Sequence, residues 1–110
     1  MKSYRVGDQD RARGSEPWVE FQRASDISTG LYVLDAGETD EQEPHTEDEI
    51  YVCMSGRARF VTTSGECDVE PGSVIFVPAR EEHRFVDITE KLSLVVVFGP
   101  AEGSRTSSHP

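Results

Sequence analysis

Apolar residues in this chain come in short runs, and polar or turn-forming residues separate nearly all of them. The runs WVEFQRA (18–24), GLYVLDA (30–36), EIYVCM (49–54), RARFVTT (57–63), CDVE (67–70), SVIFV (73–77), HRFVDI (83–88) and LSLVVVFG (92–99) read as strands. Most are rich in β-branched and aromatic residues, which suit a pleated, half-buried surface. Ser-Gly at 55–56 and 64–65, Pro-Gly at 71–72 and Pro-Ala at 78–79 punctuate them as turns. Ser64-Gly65 predicts a tight hairpin, because glycine accepts the positive φ that such turns demand. No window carries a helical period over three turns. The pattern predicts an all-β domain, a sandwich or barrel with little or no helix.

Two of the runs, IYVCM and LVVVF, are apolar at consecutive positions, whereas a strand with one wet face alternates. Their second face needs a cover. The expected cover is a second copy of the chain, giving a homodimer. The competing arrangement folds the N-terminal segment back over that face. Residues 1–16 are polar and form a separate N-terminal segment, in which Tyr4 and Val6 could anchor an edge strand. The barrel then occupies 17–100, and the small, polar residues 101–110 form a flexible tail. His109 belongs to that tail and receives no role.

A chain of 110 residues can build one core of its own. Its 21 acidic and 11 basic residues give a net charge of −10. That field repels a phosphate backbone, which argues against nucleic acid as a partner. No apolar run approaches the roughly 18 to 20 residues that span a bilayer. The opening MKSYRVGDQDRARG has no apolar core of a secretory signal, so the expected location is the cytoplasm. Cys53 and Cys67 lack metal-finger or redox spacing and are expected to be reduced. Cys53, inside an apolar run, reads as a small buried hydrophobe.

Histidine and carboxylates change the picture. His45 precedes Glu49 by four positions across a turn into the next strand, and His83 follows the VPAREE turn. Imidazole and carboxylate together suit zinc, iron, manganese or nickel. By strand alternation, Tyr51 and Cys53 share Glu49's face, and Phe85 and Asp87 share His83's. Tyr51, Cys53 and Phe85 are therefore the expected pocket residues, with Tyr51 offering a phenolic hydroxyl. Glu38, Asp40, Glu41 and Glu47 are expected in solvent, as loop carboxylates usually are. Arg57 and Arg59 share one face and read as an exposed hairpin pair. Trp18 and Phe21 read as core or interface residues.

With these residues in place, the chain resembles the cupins, small β-barrels with two diagnostic motifs. The first, G-x5-H-x-H-x3,4-E-x6-G, runs here from Gly37 through Glu43, His45 and Glu49 to Gly56. Every spacing fits, and Glu43 stands where the first histidine is expected. The second, roughly P-G-D-x2-x-I-P-A-G-x2-H, matches PGSVIFVPAREEH from Pro71 to His83, with Ser73 for the aspartate and Arg80 for the second glycine. The resemblance implies a jelly-roll barrel, the double-stranded β-helix. It also implies a divalent metal on His45, Glu49 and His83, with Glu43 as the candidate for a fourth ligand.

Two functional classes follow from that resemblance. One is a small metalloenzyme of oxygenase, isomerase, lyase or cyclase type, acting on a small organic molecule through Fe, Mn, Zn or Ni. The other is a non-catalytic module that binds or senses a small molecule over a degenerate or empty metal site. Fold does not decide between them, because chemistry lives in the site.

Overall fold

Strand pairing organises the molecule, and the computed structural model describes it over residues 1–104. His109 lies outside the described residues. The elements are α1 (Val6–Arg13), β1 (Trp18–Arg23), β2 (Ser28–Leu34), β3 (Asp48–Thr62), β4 (Gly65–Val69), β5 (Val74–Val77) and β6 (His83–Gly99). The strands pair antiparallel in the order β1-β2-β6-β3-β4, and β5 pairs with the first half of β3. The architecture is the predicted all-β barrel, with α1 the only helix among the described residues.

Two pairs of predicted strands turn out to be single long ones. β3 runs through Ser55-Gly56 without a turn, and β6 joins 83–88 to 92–99. The two pair from Asp48↔Gly99 to Thr62↔His83, with register shifts around Ser55 and Arg57. Gly56 adopts φ 95°, and a Cβ there would lie 2.2 Å from the Lys91 carbonyl oxygen. The Ser-Gly signal therefore marks a bulge that bends the ribbon, a second use of glycine's freedom. Asp87 at φ 50° similarly breaks the alternation of β6. It is exposed and not inward-facing as expected, and Ile88 takes the buried place. The predicted hairpin does form, with Thr62↔Gly65 closing it, so its turn residues are Thr63-Ser64.

Inward positions of β2 to β6 fill the barrel with Leu34, Tyr51, Cys53, Phe60, Val69, Val77, Phe85, Leu92, Leu94, Val96 and Phe98. On the opposite face, Leu31 and Val33 are buried outside this cluster, and α1 packs over β1 and β2. The N-terminal segment thus does fold back, but over this half of the face only. The edge strand expected at Tyr4 and Val6 is replaced by α1, which buries none of its own residues and so shows no helical period. Its Asp8–Arg11 pair is an exposed i,i+3 contact that contributes little, whereas in Asp10–Arg13 the arginine side chain is mostly covered. Tyr4 instead packs on Phe21, ring centroids 5.1 Å apart, and donates to Gln22 Oε1.

Of the tail expected over 101–110, only residues 101–104 are described. Ala101 is buried, Glu102 N donates to Ser28 Oγ at 2.8 Å, and Arg23 donates to the Glu102 carbonyl at 2.5 Å. Glu102 is thus tied to β1 and β2. Arg57 and Arg59 are engaged as an outward pair, by Glu70 and Glu90 and by Glu66 and Asp68 respectively.

The bend at Gly56 is the position where a methyl group is least tolerable. Gly56→Ala combines a backbone conformation unfavourable for alanine with a clash against backbone, and should cost about 2 kcal/mol or more. Urea unfolding of the two proteins measures it; equal midpoints would show that the bulge is not a stress point.

Candidate metal centre

Glu49 enters the barrel because it lies on the inward side of β3, two residues before Tyr51. Its carboxylate is 2% exposed, and neither oxygen accepts an aligned hydrogen bond. His83, at the start of β6, places Nε2 2.7 Å from Glu49 Oε1. Its Nδ1 donates to the Glu81 carbonyl at 2.7 Å, which fixes the ring and points Nε2 into the site. His45 comes from the loop before β3. It packs against Phe98 with ring centroids 4.8 Å apart, its Nδ1 3.6 Å from Glu102 Oε2. Donor atoms of His45, Glu49 and His83 all lie within 4.8 Å of one another.

This arrangement is unstable without a shared cation. A neutral His83 would aim its lone pair at a carboxylate oxygen 2.7 Å away, and burial removes the water that would relieve the contact. A proton or a metal ion satisfies both atoms. Imidazole, carboxylate and imidazole are a donor set that divalent transition ions take, so these residues fit the metal implied by the two motifs.

The rest of the acidic loop divides in a way its composition hides. Glu43 is exposed and is not brought into the group; it lines a wide outer mouth of about 670 Å³ with Glu41, Glu82 and Arg84. Asp40 and Glu47, expected in solvent, are buried. Asp40 accepts from Tyr32 OH at 2.6 Å, Gln42 Nε2 at 2.8 Å and Phe85 N at 2.9 Å, pinning the loop to β2 and β6. Glu47 accepts from Thr46 Oγ1. The three donors on Asp40 are enough to offset its desolvation.

Beside the triad lies an inner chamber of about 120 Å³, lined by Trp18, Tyr32, Gln42, His45, Glu49, Tyr51, Val96, Phe98 and Glu102. Tyr51 lines it as expected; its hydroxyl donates to Gln42 Oε1 at 3.0 Å and lies 3.1 Å from His83 Nε2. Burial, then the charge of Glu49, pushes the Tyr51 hydroxyl well above the usual phenol range, so it remains a hydrogen donor. Cys53 and Phe85 line neither cavity. They fill the barrel, Phe85 against Tyr51 and Phe60, and burial pushes the Cys53 thiol up, away from a reactive thiolate.

Trp18, read as core or interface, is a chamber wall. It lies across Gly30, where a Cβ would be 2.2 Å from its ring. Gln42 and Glu102 had no signal at all in the sequence. Burial pushes the Glu102 carboxyl up while His45 opposes it, and the group faces the imidazole from the C-terminal turn.

The chain belongs to the cupin family, whose domain description matches residues 30–98. An uncharacterised protein of Streptomyces coelicolor is 42% identical over 104 residues, covering 93% of this chain and 99% of that one. Among solved structures, an uncharacterised Klebsiella pneumoniae protein with a double-stranded β-helix domain superposes with a TM-score of 0.77 at 15% identity. That match covers 91% of this chain and 90% of the other. The DMSP lyase DddQ of Ruegeria pomeroyi gives a TM-score of 0.68 at 16% identity over 80% of this chain. This chain spans only 49% of the lyase. At these identities the structural likeness concerns the fold.

A proton on His83 Nε2 would exclude a metal ion from the same atom. Burial alone would lower its pKa, but the Glu49 contact, the Glu81 carbonyl and the fields of Glu49 and Asp40 outweigh it and raise the pKa. A raised folded pKa means that protonated His83 stabilises the metal-free protein below its unfolded value of about 6.5. That contribution is lost as pH rises through the folded pKa. In the presence of chelator, the stability gap between wild type and His83→Gln should therefore be widest below about pH 6.5 and close at higher pH. Metal binding needs the neutral ring and should strengthen across the same interval. Urea unfolding at stepped pH checks the first trend; a gap independent of pH would refute it.

Proposed function

We propose that this cupin is a small metalloenzyme that holds a divalent ion on His45, Glu49 and His83 and acts on a small organic molecule in the inner chamber. The observation that carries this reading is the buried Glu49 carboxylate, unmatched by any aligned donor and facing a histidine nitrogen. When bound, the ion supplies Lewis-acid or, as iron, oxygen-binding chemistry. The protein's own groups do the rest. Trp18, Tyr32, Val96 and Phe98 give the chamber apolar walls, and Tyr51 and Glu102 line it as a hydrogen donor and a carboxyl group. Such convergence of a few polar groups in an apolar hollow is typical of small-molecule sites. The lyase among the structural neighbours is compatible with this class, but its reaction is not carried over at 16% identity.

A non-catalytic binding or sensing module is the second reading. It is favoured by the solvent exposure of Glu43, which leaves the family's first histidine position without an inward side chain. A reducing, cytoplasmic setting accompanies either reading, supported by two free thiols of which Cys67 is exposed. No described helix is long and apolar enough to cross a membrane.

Metal content of untagged protein decides the first point. Wild type should retain or take up about one Fe²⁺, Mn²⁺, Ni²⁺ or Zn²⁺ per chain, and His45→Ala or His83→Ala should lose at least about tenfold in affinity. Wild type that cannot be loaded with any of the four would end the metalloenzyme reading. Turnover by loaded wild type then separates enzyme from sensor.

We further propose that the chain is a homodimer. α1 leaves the outer face of β3 and β5 uncovered, where Ile50, Met54, Val74 and Phe76 are exposed, Phe76 by 60%. Cross-strand neighbours there are Ile50↔Phe76, Val52↔Val74, Ile50↔Val97 and Val52↔Val95. None is charged. On a chain of net charge −10, such a patch is where two copies meet with least repulsion, which favours a second copy as its cover. Light scattering at micromolar protein should give twice the chain mass, and Phe76→Glu should halve it; a monomeric wild type would remove the proposal.

A further inference from the structure

The family pattern and the geometry disagree about which side chain stands beside His45. The first histidine position falls on Glu43, which is exposed on the outer mouth, whereas Gln42 lines both the mouth and the inner chamber. The Gln42 amide is held at both ends. Its Nε2 donates to Asp40 Oδ2 at 2.8 Å, and Asp40 is itself fixed by Tyr32 OH and Phe85 N. An ionised carboxylate only accepts, so the amide nitrogen must face Asp40 and Oε1 must face the chamber. There Oε1 accepts from Tyr51 OH at 3.0 Å and lies 3.4 Å from His45 Nε2.

These spacings carry meaning for coordination. Two ligand atoms bound at about 2.1 Å on adjacent octahedral corners lie about 3.0 Å apart. Gln42 Oε1 and His45 Nε2, at 3.4 Å, and His83 Nε2 and Glu49 Oε1, at 2.7 Å, bracket that separation. Resting on the metal-site reading above, we infer that Gln42, and not Glu43, supplies the fourth protein donor to the ion through Oε1, with Asp40 as the positioning residue that sets the amide's orientation. The donor set is then two imidazoles, one carboxylate and one neutral oxygen. It carries one negative charge fewer than a set containing Glu43, and mixes the nitrogen ligands that suit iron with the oxygen ligands that suit manganese.

Manganese binding tests this with two readouts. Mn²⁺ affinity is measured by competition with a chelator, and metal-bound water by water-proton relaxation. Wild type, Gln42→Leu, Gln42→Asn and Glu43→Gln are compared after circular dichroism shows each to be folded. Gln42→Leu should weaken Mn²⁺ about tenfold and add one bound water. Gln42→Asn, an amide too short to reach, should do the same with less disturbance of the loop, and Glu43→Gln should change neither quantity. Weaker binding without the extra water would make Gln42 a positioning residue and overturn its role as donor. An extra water in Glu43→Gln would hand that role to Glu43. Wild type that binds no Mn²⁺ or other divalent ion overturns the metal site itself. Binding that is unchanged in both Gln42 variants overturns this inference alone.

Discussion

Everything in this molecule depends on the bend in the β3–β6 ribbon. A straight antiparallel strand of 15 residues is about 48 Å long, at about 3.4 Å per residue. β3 and its 17-residue partner are curled within a molecule of 39 × 34 × 22 Å. The ribbon's two ends carry the chemistry. Glu49 stands opposite Phe98 at one end and His83 opposite Thr62 at the other, yet their side chains meet at 2.7 Å. Closure of the barrel and assembly of the site are therefore one event. Gly56, where a side chain would strike the Lys91 carbonyl, is the hinge of both.

Burial sorts the acidic loop, and burial is a matter of available donors. Asp40 leaves water because Tyr32, Gln42 and Phe85 offer it three hydrogen bonds. Glu49 leaves water beside a histidine and with no aligned donor, which is costly in a structural residue and useful in a ligand. Glu43 finds no inward partner and stays in solvent. The same currency explains the C-terminal turn, where hydrogen bonds to Ser28 and Arg23 hold Glu102 in reach of His45. Around the centre, then, one carboxylate faces the histidines, one orients an amide, and one closes the chamber from the far side.

Side chains alternate wherever the strand is regular. Glu49, Tyr51 and Cys53 share the inner face of β3 as alternation requires, and Phe85 shares that of β6. Alternation breaks at Asp87 and at Gly56, where positive φ interrupts the pleat. Inside a loop there is no period to use. Glu43, the candidate fourth ligand by its place in a spacing pattern, is exposed on the outer mouth, while its neighbour Gln42 lines the inner chamber as well. α1 leaves no mark in the sequence for a related reason. A helix that buries none of its residues has no stripe to display.

Pattern alone determined that the chain is all-β, the resemblance of its two motifs to the cupins implied the barrel, and spacing set His45, Glu49 and His83 apart from the other histidine and carboxylates. The first and last follow from local rules: alternation writes the inner face into a strand, and ligands at strand ends recur at fixed separations. Only the tertiary structure decided that Gln42 and Glu102 look into the chamber, that Trp18 is a wall, and that the N-terminal segment covers half of the outer face. Those outcomes depend on contacts between residues far apart in the chain, and hydrogen-bond partners that meet only after the ribbon bends leave no trace in the order of the amino acids.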